Sequence, residues 1–264
     1  MTSYDAGSGA AFPLEPLSPD DLDKVHHQAM RLLADVGTEV HDDEMLARLA
    51  AAGQRIEDTR VRWDPDWVLE QLALAPSGFT LTGRNPGRSV RIGGGSLVHV
   101  PVGGPPFAHD EERGRRDGTL ADHIELVKLA HASDQLPVLQ SGTVEAQDLD
   151  ADHRHLQMDY SILRWSDRPF IVYGSSGPKA RDGFELAALA AGGREALAGR
   201  PMTLGIVNPN SPLVWDGLMV GQLAACAEYA QPVAITPFLL AGASAPVTLA
   251  AGLSLLVAET LSGV

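Results

Sequence analysis

Apolar and polar positions divide the chain into stretches of different period. From residue 17 to residue 75 the period is helical. Leu22, Val25, Ala29, Leu32, Leu33 and Val36 share one face, and Gly37 ends the run. Ser18 stands as an N-cap before Pro19, with Asp20 and Asp21 in the first turn. A second helix is predicted from about Asp43 to Ala52, ahead of Gly53. In residues 60–75 a strand residue or two precede a third helix beginning near Asp64-Pro65. Between residues 79 and 102 the period shortens to two. FTLTGR, SVRIG and SLVHVP, broken by Gly, Asn and Pro, predict a small antiparallel sheet.

After Thr119, which caps a helix running to Ser133, the pattern changes again. Short apolar runs at 137–144, 169–175, 202–208 and 232–240 each end in polar or Gly/Pro-rich residues. Helical patterns follow them at about 150–165, 179–191, 215–230 and 246–262. Such alternation predicts parallel strands in βα units, and four units are half of an eightfold barrel. The expected fold is therefore α/β, an incomplete TIM-type (β/α) barrel. The expected organisation is a disordered N-terminus over 1–16, an α-rich layer with a small sheet over 17–118, and the half-barrel over 119–264.

In a βα barrel the active-site face is built from the residues just past each strand. Those positions hold Gln140 and Ser141, Tyr173 and Ser175, Asn208 and Asn210, and Thr236. Gln140, Tyr173, Asn208, Asn210 and Thr236 are the candidate substrate-binding residues. Each has a plainer explanation in loop hydrogen bonding or helix capping, Ser211 before Pro212 above all.

Composition narrows the function. Against 34 acidic residues stand 20 basic ones, a net charge of -14. That surface disfavours nucleic acid or an anionic membrane as the main partner. The single cysteine, Cys226, lies in the helical pattern QLAACAEYA and reads as a small buried residue. The N-terminus lacks the charged start and apolar core of a signal peptide, and the chain is read as cytoplasmic. Residues 247–264 approach membrane-span length, but Gly252, Ser254, Glu259, Thr260 and Ser262 suit a buried barrel helix better.

Other motifs carry less. His153 and His155 form an HxH pair, a zinc pattern on a strand. On a helix the two diverge, and His155 and Asp159 then read as a solvated face. Gly93-Gly94-Gly95-Ser96 lacks phosphate-loop spacing and reads as a hairpin turn. DEERGRRDG, residues 110–118, reads as a surface loop or a lid. Gly174-Ser175-Ser176-Gly177 joins a strand to a helix with Lys179 nearby, which fits either an anion site or simple turn chemistry.

VNPNSPLVWDG, QPVAITPFLLAGASAPVTLAAG and AETLSG resemble the trimethylamine methyltransferase family. So do LLADVGTEV, APSGFTLTGRNP and GTLADHIELVKLAHASD further back. The resemblance reaches from about Leu17 over nearly the whole chain. It implies methyl transfer from a methylated amine or quaternary ammonium compound to the cobalt of a separate corrinoid protein. Cobalamin would be carried by that partner and not bound directly. A cationic substrate also gives Tyr173, Trp215 and Phe238 a purpose, since aromatic faces attract such ions. Chains of this family are much longer, so the expectation is a chain cut in mid-barrel. A four-strand barrel has open edges, which predicts self-association, a separately encoded second half, or aggregation. Three other readings stand beside this one: a phosphate-binding barrel enzyme, a non-enzymatic half-barrel assembly subunit, and a truncated reading frame with no function of its own.

Overall fold

A computed structural model describes residues 15–264. The expectation of a disordered terminus lies, for residues 1–14, outside the described residues. Helix α1 (Pro19–Arg31) opens on a full capping box, Ser18 accepting from the Asp21 amide while the Asp21 carboxyl accepts in return. It runs through a π-helical turn (Leu32–Val36) into Gly37. Glycine is required there. Its φ is 76°, and any Cβ would lie 2.2 Å from the Val61 carbonyl oxygen. Next come β1 (Thr38–Val40), α2 (Asp43–Ala51), β2 (Arg55–Glu57), β3 (Arg60–Arg62) and α3 (Pro65–Leu74), the last capped by Asp64.

The middle of the chain holds β4 (Gly78–Leu81), β5 (Val90–Gly93), β6 (Phe107–Asp110), β7 (Gly114–Asp117) and α4 (Leu120–Ala132). Then follow β8 (Leu139–Gln140), α5 (Arg154–Trp165), β9 (Phe170–Ile171), α6 (Gly177–Ala191), α7 (Arg194–Ala198) and β10 (Thr203–Val207). The chain closes with β11 (Val214–Trp215), α8 (Gly217–Glu228), β12 (Val233–Ile235) and α9 (Leu249–Leu261).

Contacts gather the described residues into two compact units. One comprises Ser77–Gly205 and Ala224–Val233; the other comprises residues 15–76, Ile206–Leu223 and Ala234–Val264. In the first, α4, α5 and α6 pack successively, and their apolar faces cover a parallel sheet. Leu139 pairs with Phe170 and Phe170 with Thr203, in parallel register. Val127, Ile162, Val172, Ala180, Phe184, Leu197 and Met202 fill its core. The strand order is β12-β10-β9-β8, so β8 and β12 form the two sheet edges, and no closed barrel forms among the described residues. In the second unit α1 packs on α9, and a sheet of order β11-β1-β3-β2 contains one parallel pair, β1 with β11.

All four predicted βα strands exist, but each is shorter than its apolar run. Pairing needs neighbours on a ladder, and the runs leave it after Ser141, at Tyr173 and at Pro237, where polar, glycine or proline residues turn the chain. Two expectations are corrected. SLVHVP forms no strand, so the small sheet is only the β4–β5 hairpin. The charged run at 110–118 is not a loop; most of it belongs to the β6–β7 hairpin. There Asp110 accepts from the Arg113 amide at 2.7 Å, and Gly114 takes a φ of 67°. Arg116 lies 2.8 Å from Asp110 across the strands, so opposite charges hold a hairpin that hydropathy alone does not signal.

Candidate functional site

Within the first unit, polar side chains gather where the parallel strands end. The ladder continues past the strands themselves: Ser141 donates its amide to Ile171 at 3.0 Å, and Val172 to Leu204 at 3.2 Å. Gln140 and Tyr173 are therefore carried at the same end of the sheet. Gly103 packs against the Gln140 side chain so closely that a Cβ would lie 2.7 Å from Nε2. Gly104 donates to the Gly142 carbonyl and Glu145 to the Pro105 carbonyl, at 2.7 and 3.0 Å, fixing residues 103–105 over this end.

The Tyr173 hydroxyl donates to Glu145 Oε2 at 2.8 Å. Burial, and then the Glu145 carboxyl, push the Tyr173 phenol up to about 12, so it keeps its proton at neutral pH. Arg154, in the first turn of α5, lies 3.6 Å from the same Glu145 oxygen. One turn further, Asp159 is fully buried, and its Oδ1 accepts the Tyr173 amide at 3.0 Å. Its Oδ2 has no partner. Burial pushes the Asp159 carboxyl up to about 7. The Ser141 hydroxyl and the Tyr173 amide oppose that shift, and repulsion from Asp182 adds to it. Of those two groups only the amide closes a well-formed hydrogen bond.

These burials correct the expectation of a solvated face. His155 is buried and its Nε2 lies 2.9 Å from Asp182, while His153 is exposed beside Asp150. The reason is packing, since this face of α5 lies between α4 and α6. Among the described residues no group of His, Cys, Asp and Glu is arranged to hold a metal. At the start of α6 the Ser176 side chain accepts from the Lys179 amide, and Lys179 Nζ donates to the Ala151 carbonyl at 3.0 Å. Helix capping therefore accounts for the Ser176 side chain, and Lys179 has a backbone partner.

The second unit holds the other three candidates. Thr236 donates its amide to Val207 at 2.9 Å, and its hydroxyl donates to the Asn208 side-chain oxygen. Asn210 has a different side-chain partner. Its Nδ2 donates to Asp216 at 2.7 Å, and Asp216 in turn accepts from the Leu218 and Met219 amides at the start of α8. Between Asn210 and Trp215 the loop contains a cis Ser211-Pro212 bond and Leu213 at a φ of 62°. Glu259, buried in α9, accepts from the Ser211 hydroxyl and the Leu213 amide, both at 2.7 Å. Ser262 accepts from Trp215 Nε1 at 2.9 Å. Trp215 is thus buried and offers no open ring face, whereas Phe238 is exposed.

Sequence reasoning missed Glu145, Arg154, Asp159 and Glu259 as parts of these clusters. Glu259 did leave a signal, as the lone charge in the helix LAAGLSLLVAETL. Asp159 left one too, as an acid next to Met158 in the buried stripe of α5.

The model of the family described as trimethylamine methyltransferase (MTTB) matches residues 6–264. A glycine betaine methyltransferase of Desulfitobacterium hafniense (strain Y51) is 36% identical over 248 residues, covering 94% of this chain and 52% of the relative. A trimethylamine methyltransferase MttB of Desulfitobacterium hafniense (strain DSM 10664 / DCB-2) is 24% identical over 242 residues, 90% of this chain and 49% of the relative. An L-carnitine:corrinoid methyltransferase of Eubacterium limosum is 26% identical over 178 residues, 67% of this chain and 36% of the relative. The chain spans about half the length, or less, of these relatives.

Proposed function

The chain belongs to the trimethylamine methyltransferase family, and from that premise we propose that it works in methyl transfer from a methylated amine or quaternary ammonium compound to a corrinoid protein. We read its parallel sheet as the first half of a βα barrel, with 119–264 as the barrel portion and the cytoplasm as its place of work. Among the described residues no helix is long and apolar enough to cross a membrane.

Beyond the family match, the observation that carries the reading is the Tyr173–Glu145 pair at the end of the parallel strands. A quaternary ammonium ion has no N–H to donate, so a protein can recognise it only by charge and by an aromatic face. Glu145 supplies the first and Tyr173 the second, with Gln140 at the same sheet end. Arg154, beside Glu145, suits the carboxyl end of a zwitterion, the kind of molecule named for the glycine betaine and L-carnitine relatives. For the second unit, taken by itself, Asn208, Asn210 and Thr236 are proposed as polar binding groups.

When bound, a corrinoid carried by the partner would supply the nucleophile for the methyl carbon, and the bonding pair of the broken N–C bond would stay on nitrogen. The chain's own residues bind the cation, aim one N–CH₃ bond outward and exclude water, so positioning carries much of the catalysis. The test uses trimethylamine and glycine betaine labelled with ¹³C in their methyl groups, with a reduced, cobalamin-loaded corrinoid protein. Chain-dependent transfer of label to the corrinoid protein is the expected result. Failure of both substrates to transfer label or to bind would overturn the reading.

A further inference from the structure

A fully buried acid with one unpartnered oxygen is costly unless it serves a purpose, because an ionised carboxyl away from water needs several donors. Asp159 is such an acid, and the groups around it point to what it does. From the end of β9 the Tyr173 amide donates to it at 3.0 Å. The Ser141 hydroxyl stands at the end of β8, buried and without a well-formed partner of its own. From α6 come Gly183 and Asp182. A Cβ at Gly183 would lie 2.5 Å from Asp159 Oδ2, so only glycine leaves room for the carboxyl at this place. Asp182 carries a like charge and is bonded to His155, one turn earlier on the helix of Asp159 itself.

We infer that Asp159 is a positioning residue: its buried carboxyl holds the backbone of Tyr173, and through it the Tyr173–Glu145 pair, in the arrangement that the proposed cation site needs. That role presupposes the reading of the pair as a substrate site. The carboxyl is neutral below about pH 7, where one good donor suffices for it. Once ionised, it accepts the Tyr173 amide more strongly but faces Asp182 from a buried place with no second well-formed hydrogen bond, which favours opening of the sheet end to water. Opening of that end carries the backbone of Tyr173 with it, so the closed arrangement is favoured below that pH and loses ground above it.

The test is a titration of the full chain with ¹³C-labelled aspartate carboxyls and labelled tyrosine rings. Asp159→Asn and Tyr173→Phe assign the signals. The Asp159 carboxyl and the Tyr173 ring are expected to shift together with a midpoint near 7. A midpoint in the ordinary carboxylate range near 3.8, or a Tyr173 signal indifferent to Asp159, overturns the inference. If Asp159→Asn does not fold, the Tyr173 ring signal, assigned by Tyr173→Phe, still decides by whether its midpoint lies near 7. Calorimetric binding of glycine betaine at pH 6.5 and 8.5 gives the functional half. Wild-type affinity is expected to fall on the order of tenfold, as the competent fraction falls, while Asp159→Asn holds its affinity. A coupled titration with no binding of glycine betaine or trimethylamine would overturn the substrate-site reading and leave the positioning of Tyr173 standing.

Discussion

Among the described residues each unit contains one fully buried acid that holds a segment following a strand, and the two acids are satisfied differently. In the second unit Glu259 accepts two hydrogen bonds, one on each oxygen, and both come from the loop that it fixes. That loop includes Leu213 in a left-handed conformation, which costs on the order of 1 kcal/mol or more and persists only where its surroundings enforce it. In the first unit Asp159 accepts one well-formed bond and leaves Oδ2 unpartnered. A side chain with both oxygens bonded is a clamp. One with an oxygen left over, in a site that raises its proton affinity, is a clamp that pH can release.

The largest expected effect tests the releasable clamp. The Asp159 proton affinity is raised in the folded state, so the folded chain holds more protons than the unfolded one between about pH 4 and 7. Its contribution to stability therefore falls as pH rises through that window and is flat above it. Buried His123, pulled down to about 4 chiefly by burial, contributes the opposite slope over about pH 4 to 6.5. The wild-type curve consequently hides both effects. The stability of Asp159→Asn relative to wild type isolates the first, and should rise by up to about 4 kcal/mol between pH 4 and 7. A pH-independent difference in denaturant unfolding would remove the distinction between the two acids.

Removing the satisfied clamp comes next. Glu259→Ala strips the Ser211 hydroxyl and the buried Leu213 amide of their acceptor, and should cost about 3 kcal/mol. A loss under about 1 kcal/mol in urea unfolding would mean that the loop holds its shape without α9. Gly183→Ala sharpens the comparison from the packing side, since its methyl would press on Asp159 Oδ2. The expected cost is about 2 kcal/mol. In the double variant with Asp159→Ala the two losses should fall short of their sum, because the clash is removed. The smallest effect belongs to Tyr173→Phe, which removes the hydroxyl bonded to Glu145 and should cost about 1 kcal/mol of stability. Substrate binding in that variant should change less than in Glu145→Gln, since the aromatic face remains.

The family motifs gain a physical meaning from the same contacts. VNPNSPLVWDG and AETLSG lie well apart in sequence, yet Ser211, Leu213 and Trp215 of the first are bonded to Glu259 and Ser262 of the second. Either motif read by itself is only a Pro/Asn-rich turn or an apolar helix end. Asn210 shows the opposite case. Its side-chain amide donates to Asp216, six residues on at the start of α8, so its partner is local in sequence.

What the sequence determined by itself is the part set by neighbouring residues. Ser18 with Asp21, Asp64 before Pro65 and Thr119 with Asp122 cap their helices through partners two or three residues away, and such bonds can be read from spacing. The order of βα elements follows for the same reason, since period and turn residues are local properties. Tertiary structure decided which polar side chains are buried and what faces them. His155 and Asp159 occupy a helix face that is polar on paper and buried between α4 and α6, and the β6–β7 hairpin is held by charges meeting across strands. Glu145 reaches Tyr173 across 28 residues and Glu259 reaches Leu213 across 46. No periodicity records such a meeting, because it depends on how far each helix turns over its sheet before the chain returns.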